Sequence, residues 1–185
     1  MSPKSNALCE SNKVTKAPQK RGAFVWYYRE MKEPFIVTEN DLSDLARKIA
    51  NTLLESSNKG SKVIFLEGDL GAGKTTFTKE LAEVLGVPKD DVHSPTFILK
   101  KEYTTSHPTF KKLVHIDAYR FDSPKEAKVL NLKKDLEEGN SLIVIEWPSK
   151  LGGTVDEDMT VAFSVIDDDT REVMINYVDS YGRRQ

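Results

Sequence analysis

No other eight residues constrain this chain as much as Gly68-Asp69-Leu70-Gly71-Ala72-Gly73-Lys74-Thr75. They match G-x-x-x-x-G-K-[ST] at every fixed position. The run follows Val63-Ile64-Phe65-Leu66, a continuous apolar stretch expected of a strand buried on both faces. Residues 74–85 then carry helical spacing and stop at Gly86-Val87-Pro88. Strand, glycine loop and helix in that order are the context the motif needs, and a chance match lacks it. Glycines reach backbone angles closed to other residues, so main-chain N–H groups can wrap phosphate oxygens. The positive end of the following helix faces the same anion. Lys74 is expected to reach the β- and γ-phosphates, and the Thr75 hydroxyl to ligate Mg²⁺.

The rest of the chain is organised around this unit. At 185 residues there is room for one ordinary domain. Residues 1–33 are expected to form a disordered or loosely packed extension, and residues 34–180 the domain. The first 22 residues are polar and mildly basic, without the amphipathic arginine pattern of a targeting peptide. Phe24–Tyr28 is an aromatic cluster, expected to pack at the domain edge. Phe35-Ile36-Val37 predicts a short strand. Thr38 and Asp41 then have capping-box spacing before a helix over residues 40–55. Strands are predicted over Phe97–Tyr103, Leu113–Asp117 and Leu142–Ile145, and a helix over Lys125–Glu138. Met159–Ile166 and Glu172–Val178 alternate around an Asp167–Thr170 turn, which predicts a C-terminal β-hairpin.

Composition excludes several classes. No apolar run approaches the roughly 20 residues that cross a bilayer. Cys9 is the sole cysteine, so neither an internal disulfide nor a cysteine zinc site is available, and a reducing, cytoplasmic setting is expected. The charge balance, 27 basic against 29 acidic residues, offers no basic excess for gripping nucleic acid directly.

A phosphate loop needs a second group for its magnesium, usually an acid ending a neighbouring buried strand. Two strands have this form: Leu113–Ile116 runs into Asp117, and Leu142–Ile145 into Glu146. If both run parallel to Val63–Leu66, both acids lie at the ligand-binding end of the sheet. One would hold Mg²⁺ and the other orient the attacking water, whereas either alone could be a solvated strand end. His115 is expected to be a partly buried strand residue and no metal ligand. Trp147 beside Glu146 is either a cap on the core or part of the site.

Four segments in order, GDLGAGKTTFTKELAEVLG, SPTF, HIDAYR and VIEWP, resemble the bacterial TsaE family of threonylcarbamoyladenosine biosynthesis ATPases. The resemblance covers about residues 35 to 178. It implies an α/β, P-loop NTPase-like mixed sheet flanked by helices. It also implies a Mg²⁺-dependent ATPase of low basal activity, serving modification of the anticodon-adjacent adenosine of certain tRNAs. The implied partners are TsaD and TsaB, which carry the transferase chemistry, with tRNA engaged through the complex and no membrane. Carried over by position, Gly68 and Gly71, Ala72, Gly73, Lys74, Thr75 and Thr76 hold the nucleotide phosphates. Thr75 and Glu146 ligate magnesium, and Asp117 is an essential acid near the γ-phosphate. Thr96 belongs to a γ-phosphate-sensitive loop, and Trp147 lies beside the site. Thr38 is placed near the adenine and Arg171, on the late hairpin, near the nucleotide.

Two other readings compete. A small-molecule P-loop kinase needs an arginine-bearing lid, but Arg120 is the sole arginine between Lys74 and Glu146. A regulatory nucleotide-binding module would hydrolyse ATP negligibly alone, which overlaps with an ATPase switched on within a complex. No N-K-x-D guanine-reading motif is present, which favours ATP over GTP.

Overall fold

The computed structural model describes residues 34–55 and 60–178. The expectations for residues 1–33, including Phe24–Tyr28 and Cys9, lie outside those residues.

The elements follow from local pattern. Strand β1 is Phe35–Thr38, and after a single 3-10 turn helix α1 spans Leu42–Glu55. The Asp41 carboxylate accepts hydrogen bonds from the Thr38 N–H (2.8 Å) and hydroxyl (2.7 Å), fixing the chain's entry into the helix. Leu42, Leu45, Ala46, Ile49 and Leu53 are buried at helical spacing. Strand β2 (Lys62–Gly68) leads into the glycine loop and helix α2 (Lys74–Val84). There follow β3 (Lys100–Thr104), β4 (Lys112–Asp117), α3 (Leu132–Glu137), β5 (Ser141–Glu146), β6 (Met159–Val165) and β7 (Thr170–Tyr177).

The strands form one seven-stranded mixed sheet in the order β1-β7-β6-β2-β5-β4-β3. The central four, β6, β2, β5 and β4, are parallel. Each edge is antiparallel: β3 on one side, and on the other the β6–β7 hairpin with β1. The apolar residues of the parallel strands alternate between two cores. Ile64, Leu113, Leu142 and Val144 join α1 and α2 on one face. Val63, Val114, Ile143 and Ile145 join Ala127, Leu130 and Leu132 on the other. A sheet buried on both faces needs near-continuous apolar strands, as β2 and β5 have. Phe77 of α2 is fully buried with its ring 5.7 Å from that of Phe163, tying the helix to β6. Truncating such a side chain to alanine costs about 3–5 kcal/mol.

Two expectations require correction. Phe97–Leu99 do not begin a strand, because the chain turns at Pro95, whose carbonyl accepts from Ile98 and Leu99 N–H, and Leu99 is left-handed at φ 66°. Phe97 and Ile98 are instead 83% and 63% exposed. Residues 125–138 are not one helix either. A 3-10 segment, Pro124–Leu130, is separated from α3 by Asn131 at φ 49°. Leu130 and Leu132 lie some 200° apart on an α-helix, and the break at Asn131 lets both reach the core. Asparagine is the non-glycine residue that best tolerates that conformation.

Candidate functional site

Parallel pairing brings the ends of β2, β5 and β4 together, with Leu66 opposite Glu146 and Glu146 opposite Asp117. The loop from Gly68 to Gly73 closes over these ends. Gly68 is needed for close approach, since a Cβ there would collide with the Phe163 carbonyl of β6. Gly73, at φ 109°, starts α2 from a conformation that other residues resist. The N–H groups of Gly71 and Gly73 find no acceptor among the described residues, and they border an open cavity of about 370 Å³.

Gly71, Gly73, Lys74, Thr75, Thr76, Thr96, Asp117, Glu146 and Trp147 all line that cavity. A second cavity, of about 420 Å³, lies across the loop, and Thr38, Ala72 and Arg171 line it together with Gly71, Gly73 and Thr76. Thr38 and Arg171, distant in sequence, meet because β1 pairs with β7, Val37 opposite Arg171. Arg171 Nη1 donates to the carbonyls of Asp167, Asp168 and Thr170, so the guanidinium braces its own hairpin turn. Gly68 lines neither cavity.

Lys74 is buried, and its Nζ donates to the carbonyls of Gly68 and Asp69, 2.8 Å each. The ammonium lies 4.2 Å from the centroid of the Trp147 ring, a cation–π contact. Burial pushes the Lys74 ammonium below its ordinary pKa, against the opposing pull of the Glu146, Asp117 and Asp69 carboxylates. Trp147 itself is left-handed, at φ 59° and ψ 50°. A bulky residue held there costs on the order of 1–3 kcal/mol, and such outliers cluster at functional sites. The turn it makes sets the indole against Tyr119, ring centroids 5.1 Å apart.

The two acids are held differently. Glu146 Oε1 accepts from the Thr75 hydroxyl at 2.8 Å and lies 2.8 Å from His115 Nε2. Asp117 Oδ2 accepts from the hydroxyls of Thr96 (2.6 Å) and Ser94 (3.2 Å), and its Oδ1 from the Tyr119 N–H (3.0 Å). The loop bearing Ser94 and Thr96 is thus tied to β4, and the Asp117 N–H adds a bond to the Leu99 carbonyl.

His115 is the main residue that sequence reasoning missed. It is wholly buried rather than partly so, and it touches Glu146. The available signal was parity, since His115 and Asp117 alternate onto one strand face. Ser94, Tyr119 and Arg120 also line the first cavity. They stood inside the SPTF and HIDAYR segments, Ser94 and Tyr119 without being singled out and Arg120 only as the lone arginine of its stretch.

Among the described residues no helix is long and apolar enough to cross a membrane. A family model, threonylcarbamoyl adenosine biosynthesis protein TsaE, matches residues 36–173. A tRNA threonylcarbamoyladenosine biosynthesis protein TsaE from Aquifex aeolicus is 36% identical over 146 residues, 78% of this chain and 96% of the relative. Its counterpart from Haemophilus influenzae is 33% identical over 135 residues, 72% of this chain and 82% of the relative. The crystal structure of Bacillus subtilis YdiB superposes with a TM-score of 0.59 at 27% identity, covering 80% of this chain and 87% of that one.

Proposed function

Because the chain belongs to the TsaE family, we propose that it is the Mg²⁺-dependent, ATP-hydrolysing component of the machinery that makes threonylcarbamoyladenosine on tRNA. In this reading it is a P-loop ATPase whose turnover supports a TsaD–TsaB transferase. The observation that carries the reading is the convergence of the Thr75 hydroxyl and Glu146 carboxylate, 2.8 Å apart, beside Lys74 and the glycine loop. A hydroxyl and a carboxylate are the hard oxygen donors that magnesium prefers. Among the described residues no group of three or more His, Cys, Asp or Glu could hold a metal unaided. That fits a magnesium site whose remaining ligands are phosphate and water.

Thr75 and Glu146 would hold the ion, which when bound neutralises charge on the β- and γ-phosphates. The chain's own residues do the rest. The N–H groups of Gly71 and Gly73 bind phosphate oxygens, reinforced by the N-terminal end of α2. Lys74 leaves the carbonyls of Gly68 and Asp69 to reach the phosphates, with the Trp147 ring guiding the ammonium. Asp117, whose partners are hydroxyls and an amide, orients the attacking water. Thr96 and Ser94, bonded to the same carboxylate, report to the loop whether that place is taken. On the far side of the glycine loop, the cavity at Thr38 and Arg171 receives the adenine.

Partner proteins fit the surface around this mouth. Leu70 (78% exposed) and Arg120 line the cavity, and Arg120 stacks on the exposed Phe97 at 4.4 Å. Clustered exposed apolar side chains mark interaction surfaces. The unremarkable net charge of −2 suits a chain that meets tRNA only through its partners. The missing arginine lid disfavours a small-molecule kinase.

The test is ATP turnover with Mg²⁺, alone and with the matching TsaD–TsaB pair. A low basal rate that rises with the pair and vanishes in Lys74→Ala is expected. A rate indifferent to the pair, with a phosphorylated small molecule as product, would instead establish a kinase.

A further inference from the structure

We propose that His115 is a positioning residue that fixes the Glu146 carboxylate for the cation site, an inference that rests on the reading of Thr75 and Glu146 given above. In the β4–β5 register His115 stands opposite Val144, two residues before Glu146. Residues two apart share a strand face. The imidazole therefore points diagonally at the carboxylate, and its Nε2 lies 2.8 Å from Oε1.

An ionised carboxylate only accepts hydrogen bonds. Both of its neighbours at Oε1 must then donate, the Thr75 hydroxyl and His115 Nε2–H. With the proton on Nε2, Nδ1 is left as a bare acceptor. It is buried and has no hydrogen-bond partner among the described residues. Packing does not explain such a group. Leu113 and Val144 line the same face of the sheet, and an aliphatic side chain at position 115 would leave no orphaned nitrogen. The polar atom that does find a partner is the one aimed at Glu146.

The arrangement has a chemical consequence. Two donors on Oε1 set the carboxylate plane of an otherwise flexible side chain. Oε2 accepts no hydrogen bond from a described residue, and Glu146 borders the cavity. The Thr75 hydroxyl donates its hydrogen bond to Glu146 and keeps its lone pairs for a cation. Losing His115 would leave the carboxylate free to swing, and a supporting contact of this kind commonly changes metal affinity by about 10–100-fold.

The full-length chain carrying ADP is titrated with Mn²⁺, followed by electron paramagnetic resonance, and ADP affinity is measured separately in EDTA. His115→Leu and His115→Asn, which lack a donor reaching Glu146, are expected to weaken Mn²⁺ binding by about 10–100-fold with ADP affinity in EDTA unchanged. His115→Gln places an amide N–H near the position of Nε2 and is expected to restore Mn²⁺ affinity. Should the leucine variant not fold, the asparagine–glutamine pair carries the test. Wild-type Mn²⁺ affinity in the asparagine or leucine variant overturns the inference, as does a glutamine variant no better than asparagine. Glu146→Gln separates the two levels. If it loses Mn²⁺ while the His115 variants do not, the positioning role alone fails. If it too binds Mn²⁺ normally, the cation-site reading fails and the inference with it.

Discussion

Among the described residues the three most deeply buried carboxylates are Asp135 at 1% exposure, Glu146 at 3% and Asp117 at 4%. Their surroundings are opposite in kind. Asp135, whose carbonyl accepts from Ser61 just before β2, meets two cations, Lys100 at 2.6 Å and Lys112 at 3.5 Å. Those lysines also reach Glu102 and, for Lys112, Glu138. Asp117 and Glu146 form no lysine or arginine ion pair among the described residues. Their partners are hydroxyls, one amide and one imidazole. Lys74 is near enough to feel both charges but donates to carbonyls instead. Burying a carboxylate is expensive unless a cation accompanies it. The first cluster supplies its own cations. The second has no such cation among the described residues, and under the proposed function one would arrive with the nucleotide.

The contrast can be broken in four ways. Lys74→Ala is expected to act most strongly, lowering ATP affinity by about 10²–10³-fold, the scale of truncating one partner of a desolvated charged contact. Calorimetric titration with unchanged affinity would remove the loop from the site. Glu146→Ala should reduce Mg²⁺-dependent hydrolysis by about 10–100-fold and nucleotide affinity much less. Equal losses in both would make Glu146 a binding group only.

Asp135→Asn should do the reverse, sparing nucleotide affinity and lowering stability in urea melts. Breaking a buried pair costs about 3–5 kcal/mol, and the roughly one-fifth exposure of the two lysines puts the expected loss at the low end, near 3 kcal/mol. A variant as stable as wild type would show that Asp135 is not the anchor of that cluster. The smallest effect concerns pH. Hydrogen bonds from Lys100, then Lys112, hold the Glu102 carboxyl below its ordinary 4.5 despite partial burial. A depressed acid stabilises the fold above its unfolded value and loses that contribution as pH falls through the folded one. Glu102→Gln should therefore differ from wild type at pH 6, by about 0.5 kcal/mol for a half-exposed pair, and converge with it below pH 4.5. For Lys112, hydrogen bonding to Glu138 leads, and for Lys100, bonds to Asp135 and Glu102 outweigh burial. Both pKa values are raised, so their share persists below 10.5 and is lost only in strong alkali.

Legibility followed locality. The glycine loop, α1, α2 and the β6–β7 hairpin stood in the sequence because each rests on neighbours a few residues apart. The misplaced start of β3 came from Phe97 and Ile98, apolar residues that stay exposed on a turn instead of entering a strand. Apolar patterning assumes burial and fails where apolar side chains stay exposed. The single helix expected over 125–138 failed at Asn131, whose left-handed backbone lets Leu130 and Leu132 share one core. His115 was undervalued because a histidine amid apolar residues carries no mark of its partner.

The sequence by itself determined the phosphate-loop pattern, the strands ending in Asp117 and Glu146, and the family, since these depend on residue type at short spacing. Only the tertiary structure decided which strands are neighbours, and so which groups meet. The order β2-β5-β4 puts Glu146 between Thr75 and His115, separated from them by 71 and 31 residues. Tertiary packing also gave Asp135 two lysines and left Asp117 and Glu146 without a lysine ion pair among the described residues. Pairing and register are properties of the whole sheet, set by how two cores pack on its faces, and no short window of sequence holds that information.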